Sequence, residues 1–166
     1  MTTDSVVPTP STRAATDADV AFIVETSAAA AAVLRDGRGA NLMLEREMPA
    51  PDATTVATWM HDGASVVLVG ALDDAPVGVG AARVDVLTGG TRLAVITMLW
   101  VDEAARGVGV GEALLNALID WARTQQCNSI DAYALPGERV TKNFFEAAGM
   151  KARLLTVGRS LHDDAS

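Results

Sequence analysis

The apolar residues of this chain follow strand-like spacing over one central stretch, and that stretch restricts the fold more than any other feature. Three runs rich in Val, Leu and Ile, at residues 65–72, 77–87 and 91–101, are separated only by the short sequences DDAP and TGG. Alternation of apolar with small or polar residues is typical of β-strands. Connections this short predict that the three strands are antiparallel neighbours.

The spacing then changes from that of a strand to that of a helix. Residues 112–126 place Leu114, Leu118 and Trp121 on one helical face, and a further strand-like run follows at residues 128–135. A strand, a helix and a strand in succession form a crossover, so the flanking strands should be parallel and the connection right-handed. The sequence therefore predicts an α/β chain of the α+β mixed-sheet type, with mostly antiparallel strands 1–4 and a parallel crossover from strand 4 to strand 5.

The N-terminal third adds helices to this sheet. A short strand and a helix are predicted from residue 12 onwards, with Thr16 or Asp17 as the helix cap, and a second helix runs from Asp52 to Gly63. Between them, residues 35–51 fit a helix or a mobile loop equally well.

The C-terminal part supplies a shorter helix, ended by Gly149, and a last strand at residues 150–161. The elements together predict a single domain at residues 12–161. A flexible leader at residues 1–11 precedes it, and a short tail at residues 162–166 follows.

Composition excludes several classes of function. The 166 residues carry 13 basic and 21 acidic side chains, a net charge of −8, so binding to nucleic acid phosphates is not expected. The single Cys127 rules out an internal disulfide, and His61 and His162 lack metal-ligand spacing, so no metal site is expected. The chain shows neither an export signal nor an apolar run of the ~20 residues that span a membrane, which predicts a cytoplasmic protein with no membrane partner.

The junction between the strand at residues 91–101, which is strand 4 of the predicted sheet, and the helix at residues 112–126 carries an unusual glycine pattern, RGVGVG. Arg106 is followed by Gly107, Gly109 and Gly111 where the first N–H groups of a helix have no backbone acceptor. Small residues let an anion approach the main chain there, and arginine is a good phosphate ligand. The pattern fits a phosphate or pyrophosphate site, and it fits an ordinary glycine-rich turn as well. The dinucleotide and P-loop motifs both fail, the first because Glu112 stands where Gly or Ala is needed.

RGVGVG resembles the [Q/R]-x-x-G-x-[G/A] signature of the GNAT acyltransferase superfamily. The matching residues are Arg106, Gly109 and Gly111, and the downstream LPGERVTKNFFEAAGM is similar to that family's second signature. The order of elements is similar over residues 12–161. The resemblance implies a GNAT-like fold in which acetyl-CoA lies where strands four and five separate.

The resemblance also implies where the coenzyme would bind. Its pantetheine arm would pair with the strand-four backbone, and its pyrophosphate would sit on the N–H groups of the glycine loop. The strand residues concerned are Leu99, Trp100 and Val101. The loop residues are Arg106, Gly107, Val108, Gly109, Val110, Gly111 and Glu112. Phe145, in the second signature, would lie beside the coenzyme, and the backbone N–H of Leu99 would stabilise the thioester oxygen.

The chain departs from the family pattern at the residues that would act as general acid and general base. The tyrosine that usually protonates the leaving thiolate aligns with Phe145, and strand four contains no carboxylate. Tyr133 is the first substitute for the acid, although a tyrosine on a strand is more often a packing residue. Asp131 lies on the same strand face.

The resemblance implies an N-acetyltransferase that uses acetyl-CoA on a small-molecule amine, or on a protein amine. A non-catalytic acyl-CoA-binding module with the same fold is the alternative, and a nicotinamide oxidoreductase is a third. Trp59, Glu45 and Glu47 are candidates for contact with the amine. The oligomeric state is open, and a homodimer is compatible with the sequence.

Overall fold

The structure, a computed structural model, describes residues 7–161, so part of the predicted leader and the whole predicted tail lie outside the described residues. The strands are β1 (Pro10–Ala14), β2 (Ser65–Leu72), β3 (Ala75–Val86), β4 (Arg92–Val101) and β5 (Ser129–Asp131). The helices are α1 (Val20–Leu34), α2 (Ala40–Leu42), α3 (Ala53–His61), α4 (Val110–Thr124) and α5 (Arg139–Ala147). A π-helical segment, Met43–Glu47, continues α2.

The sheet is mixed and its strands follow chain order, β1-β2-β3-β4-β5. The pairs β1–β2, β2–β3 and β3–β4 are antiparallel. The pair β4–β5 is parallel, and α4 connects its two strands. The predicted fold class is confirmed. The central strands form because their apolar residues alternate between two faces that are both covered by helices.

Two apolar clusters occupy the two faces of the sheet. On one face α4 packs Leu114, Leu115 and Leu118 against Leu68 and Ile96. On the other, α1 and α3 supply Ile23 and Val56, which pack against Val67, Val79 and Met98. Neighbouring residues such as Val67 and Leu68 enter opposite clusters, as the two-residue period of a strand requires.

The predicted helix caps are only partly right. Asp52 accepts a hydrogen bond from the N–H of Thr55 (2.8 Å), and α3 ends just before Gly63, as expected. At α1, Thr16 precedes a short 3₁₀ turn at Asp17–Asp19, and the turn is held by the buried Asp19 rather than by Asp17. The Asp19 carboxylate accepts from the N–H and hydroxyl of Thr16 and from both terminal nitrogens of Arg13.

Three predicted strands differ from the structure by more than two residues or in where the leader ends. The predicted last strand at residues 150–161 is wrong, because this segment has no regular secondary structure and residues 151–161 are all exposed. The fifth strand ends at Asp131 rather than at residue 135, because Leu135 turns away to pack against Ala40 and Met43. The first strand begins at Pro10, inside the predicted leader. Residues 35–51, left open between helix and loop, contain α2 and the π-helical segment.

Candidate functional site

The edge of β4 is only half covered, and this opens a cleft in the sheet. β5 pairs with β4 at Leu93, Ala94 and Val95, and the chain leaves the sheet after Asp131. Among residues 7–161, the remaining half of β4, from Ile96 to Val101, therefore has a β-strand neighbour on its β3 side alone. A strand edge of this kind presents backbone N–H and C=O groups to a ligand.

A β-bulge decides which backbone groups face that cleft. Ala82 of β3 pairs with Ile96 and Ala81 pairs with Met98, so Thr97 is an extra residue in β4. The N–H of Asp102 donates to the Val77 carbonyl on β3 (2.8 Å).

Because the direction of backbone groups alternates along a strand, the groups of Leu99 and Val101 point away from β3, toward the open side. Before the bulge it is the even-numbered residues whose backbone groups face the β5 side, since the Arg92 carbonyl accepts a hydrogen bond from the N–H of Asn128 (2.8 Å). The extra residue at Thr97 thus brings the backbone of Leu99, a predicted site residue, to the cleft.

The glycine loop ends at the N-terminus of α4, beside the same end of β4. The helix begins at Val110 with Gly109 as its cap, and the first N–H group that finds a helical acceptor is that of Ala113, on the Gly109 carbonyl (2.9 Å). The N–H groups of Val110, Gly111 and Glu112 therefore have no acceptor within the helix. Together with the positive end of the helix dipole they can bind an anion.

Two of the three glycines are required by the backbone. Gly107 and Gly109 have φ angles of +78° and +94°, which side chains of L-residues rarely tolerate. Gly111 lies within α4 and has no such constraint, and a Cβ atom there would be 3.5 Å from the Phe144 ring. The first two glycines shape the loop, whereas the third keeps a space open.

The side chain of Arg106 folds back onto the strand. Its Nε donates to the Val101 carbonyl (3.0 Å), and its guanidinium carbon lies 4.6 Å from the centre of the Trp100 ring. Arg106 and Val108 are exposed. The structure thus brings Arg106 of the predicted loop into contact with Trp100 and Val101 of the predicted strand residues.

The second signature lies beside this loop. Phe144 and Phe145 of α5 are half-buried, pack against the α4 cluster, and contact one another edge to face with their ring centres 5.4 Å apart. Phe144 is the phenylalanine next to Gly111, as the distance above shows.

Tyr133 lies on the chain that leaves β5, and its hydroxyl donates to Oε2 of Glu47 (2.8 Å). The other carboxylate oxygen of Glu47 accepts from Nε of Arg46 (2.6 Å). These two hydrogen bonds, first that of Tyr133, lower the pKa of Glu47. Burial, followed by the bond to Glu47, raises the pKa of Tyr133. At neutral pH the pair is therefore a tyrosine hydroxyl donating to a carboxylate.

A hollow of about 240 Å³ opens next to the bulge. The residues lining it come from the π-helical segment and the loop after it, from α3 and from three strands: Arg46, Glu47, Met48, Pro49, Trp59, Ser65, Ala82, Arg83 and Thr97. Arg83 is half-buried and uses Nε and one terminal nitrogen on Asp85 (2.9 and 3.3 Å). We term this space the Thr97 hollow.

Some candidates lie elsewhere. Glu45 is exposed and does not line the Thr97 hollow, and Asp131 forms an ion pair with Arg153 (2.6 Å). Glu47 and Trp59 do line it. The sequence analysis did not single out Arg46, Arg83 or Thr97. The adjacency of Arg46 to Glu47 was visible in the sequence, but nothing local marks a bulge at Thr97.

Within residues 7–161 no helix combines the length and apolar character that a membrane span requires. The same part of the chain contains no cluster of three or more His, Cys, Asp or Glu side chains suited to a metal ion.

Several solved structures with the same fold are acetyltransferases of varied origin. One from Trypanosoma brucei is 18% identical, with a TM-score of 0.66, and the match covers 92% of this chain and all of the other. An aminoglycoside acetyltransferase from an uncultured soil metagenomic sample is 16% identical (TM-score 0.66; 95% and 99% covered). A ribosomal-protein-alanine N-acetyltransferase from Brucella melitensis is 17% identical (TM-score 0.65; 93% and 100% covered). No curated protein matches the sequence significantly.

The family model described as the acetyltransferase (GNAT) family matches residues 34–150, which include the open half of β4, the glycine loop and both phenylalanines of α5. The sequence match covers most of the chain, and the mixed sheet with its open β4 edge agrees with it. This chain belongs to the GNAT acetyltransferase family.

Proposed function

We propose that this protein transfers the acetyl group of acetyl-CoA to a primary amine of a small molecule. The carrying observation is that the outward backbone groups of Leu99 and Val101 lie beside the N–H groups at the start of α4 that have no acceptor within the helix. One surface thus offers an extended strand edge for an amide-containing arm and helix N–H groups for a diphosphate. Pantetheine and pyrophosphate are joined in that order in coenzyme A, so the residues present fit this co-substrate.

The glycine loop would hold the diphosphate. The N–H groups of Val110, Gly111 and Glu112 would donate to its oxygens, and Gly107, Val108 and Gly109 would shape the approach. Arg106 would contribute a guanidinium fork once it leaves the Val101 carbonyl. The Val101 carbonyl would then be free to accept a hydrogen bond from the pantetheine arm. On binding, Arg106 would thus exchange its hydrogen bond to Val101 for one to the diphosphate.

The reaction would be direct acyl transfer. The nitrogen of a neutral amine attacks the thioester carbonyl, the new C–N bond forms, the C–S bond breaks, and the amine proton passes to the thiolate sulfur. The Leu99 N–H would stabilise the charge that develops on the carbonyl oxygen. An alkylamine has a pKa of roughly 10, so proton removal needs assistance at neutral pH.

The proton donor to the thiolate would be Tyr133, since Phe145 has no proton to give, and Tyr133 would regain its proton from the amine nitrogen. Its hydroxyl must first turn from Glu47 toward the sulfur. The tyrosine lies on the chain that borders the cleft, which supports this role.

The rival function is an acyl-CoA-binding module without turnover. The phenylalanine at the position of the family's tyrosine favours it, as does the engagement of Tyr133 by Glu47. Ligand stabilisation does not separate the two, because coenzyme at 100-fold excess over Kd adds about 2.7 kcal/mol of apparent stability to an enzyme and to a sensor alike.

The deciding experiment has two stages. A thermal-shift comparison of acetyl-CoA, NADPH and ATP should show stabilisation by acetyl-CoA, whereas a shift with NADPH would support an oxidoreductase. Release of free thiol from acetyl-CoA is then measured against a panel of amines. Thiol release with one or more amines supports the acetyltransferase, and stabilisation without release against any amine or protein N-terminus supports the sensor.

Compartment and assembly are part of the proposal. A cytoplasmic location is supported by the single cysteine and the acidic composition. A homodimer is supported by the exposed leucines Leu154 and Leu155 and by Val157, since exposed apolar side chains close together often mark an interface. Sedimentation equilibrium measures the mass directly.

A further inference from the structure

The Thr97 hollow adjoins the place where the proposed function puts the acetyl group. Thr97 is the bulge residue of β4, two positions before Leu99, whose N–H faces the cleft. A molecule in this hollow can therefore reach the acyl carbon from the opposite side to the coenzyme. The following inference rests on that proposed function, because it names the kind of acceptor that the hollow takes.

The charged groups around the hollow are balanced in number. Glu47 and Asp85 are carboxylates, Arg46 and Arg83 are guanidinium groups, and each carboxylate bonds to one guanidinium. The rest of the protein is acidic, with a net charge of −8. Two arginines at one concave site in such a chain are unexpected if the ligand is simply a cation, because they repel it.

Glu47 and Arg83 each keep hydrogen-bonding positions that a ligand could use. Glu47 accepts from Arg46 and Tyr133, and a carboxylate has about four acceptor positions. Arg83 has five N–H donors and directs two of its nitrogens at Asp85, so its other terminal nitrogen can bind an anion. The lowered pKa of Glu47 keeps it negative at neutral pH, so it can attract an ammonium group.

We infer that the acceptor is a small primary amine that also carries a carboxylate, of the α-amino acid type. Its ammonium group approaches Glu47 and its carboxylate pairs with Arg83, with Arg46 adding positive charge. A molecule with one charge of each sign leaves the local balance unchanged. A polyamine or an aminoglycoside, with several cations, would place positive charge against both arginines.

The size of the hollow agrees with this class. A volume of about 240 Å³ lies below the roughly 300–1,000 Å³ of sites for drug-sized ligands. Trp59 and Met48 supply apolar wall beside the charged groups, which suits an amino acid with an apolar side chain.

The test compares each common α-amino acid with its own α-carboxamide, which keeps the amine and the side chain but lacks the anion. Thiol release from acetyl-CoA gives kcat and KM for every pair. The inference predicts at least one amino acid whose kcat/KM exceeds that of its amide tenfold or more. It is overturned if every amide is as good a substrate as its acid.

Arg83 is tested in the same assay. Arg83→Met should raise KM for the preferred acid at least tenfold with a smaller change in kcat, and should leave its amide unaffected, because ground-state binding of the carboxylate is lost. Arg83→Lys should restore part of the preference. Arg123→Met is the matched control, since Arg123 is exposed on α4, pairs with Asp120 and does not line the Thr97 hollow. An unchanged acid-to-amide ratio in Arg83→Met overturns the assignment.

Binding measurements keep the two proposals apart. Calorimetric titration of acid and amide into the protein with bound CoA reports the hollow without turnover. If no amine is acetylated, the proposed function fails, and tighter binding of an acid than of its amide then supports the Thr97 hollow only as a binding site for α-amino acids. If amines without a carboxylate are acetylated best, the proposed function stands and the inference fails.

Discussion

The hydroxyl of Tyr133 donates to Oε2 of Glu47 across 2.8 Å, and this hydrogen bond joins the chain beyond β5 to the π-helical segment before α3. It links one wall of the coenzyme cleft to the Thr97 hollow. The two residues are 86 positions apart in the sequence. This contact is the point at which the proposed donor site and the proposed acceptor site meet.

Replacing Tyr133 separates two roles for its hydroxyl. In Tyr133→Phe, loss of a proton donor to the leaving thiolate lowers kcat by about 10²-fold or more with little change in KM, as is typical of general acids. If the hydroxyl only orients Glu47, KM for the amine rises and kcat changes little. Steady-state kinetics on the wild type and the variant decide this, and Glu47→Gln shows what loss of the carboxylate alone does to KM.

Arg106 should matter for coenzyme binding. Arg106→Ala removes a charge-assisted contact to the diphosphate and should raise the Kd for CoA about tenfold, or roughly 1.4 kcal/mol. Arg106→Lys keeps the charge without the fork and should be intermediate. Calorimetric titration with CoA measures both. An affinity unchanged in Arg106→Ala would contradict a role in phosphate binding.

The two glycines at the start of α4 make a matched pair. Gly109→Ala places a side chain at φ +94° and should lower the free energy of unfolding by about 1–2 kcal/mol. Gly111→Ala adds a methyl group in ordinary contact with Phe144 and should change stability little, yet weaken CoA binding by crowding the N–H groups. Urea unfolding and CoA titration of both variants give the comparison. Equal effects of the two substitutions on stability would contradict the assigned roles.

Asp19 makes part of the stability depend on pH. Its hydrogen bonds with Arg13, above all, lower its pKa in the folded protein below the unfolded value of about 3.9. Such a group stabilises the fold above pH ~4, and the contribution is lost as the pH falls toward the folded pKa. Asp19→Asn should therefore cost about 1–3 kcal/mol at pH 7, and the difference from wild type should shrink below pH 4. Denaturant unfolding at pH 7, 4 and 3 checks this. A difference that grows on acidification would have the wrong sign.

Much of the sheet could be predicted because its signals are local. The alternation in β2 and β3 and the turn at Asp73 and Asp74 identify a hairpin, and both turn residues adopt the positive φ that such turns require. The helical spacing of Leu114 and Leu118 identifies α4. These patterns reflect which side chains face the core, so they are visible in any stretch that spans a full element.

The predictions that failed depend on partners that sequence spacing does not reveal. Leu154, Leu155 and Val157 have strand-forming side chains, but the described part of the chain pairs no strand with them, and they remain exposed. The charged wall of the hollow combines Glu47 with Arg83, two residues that no local pattern connects. Thr97 escapes notice because a bulge adds one residue without changing the apolar character of the strand.

The central claim is that acetyl-CoA lies in the cleft between β4 and the chain beyond β5. A crystal structure of the protein with CoA tests it most directly. The account predicts the diphosphate on the N–H groups of Val110, Gly111 and Glu112, and the pantetheine arm hydrogen-bonded to the backbone of Leu99 and Val101. Coenzyme bound on another surface, or a β4 edge that stays free at saturating CoA, would contradict it.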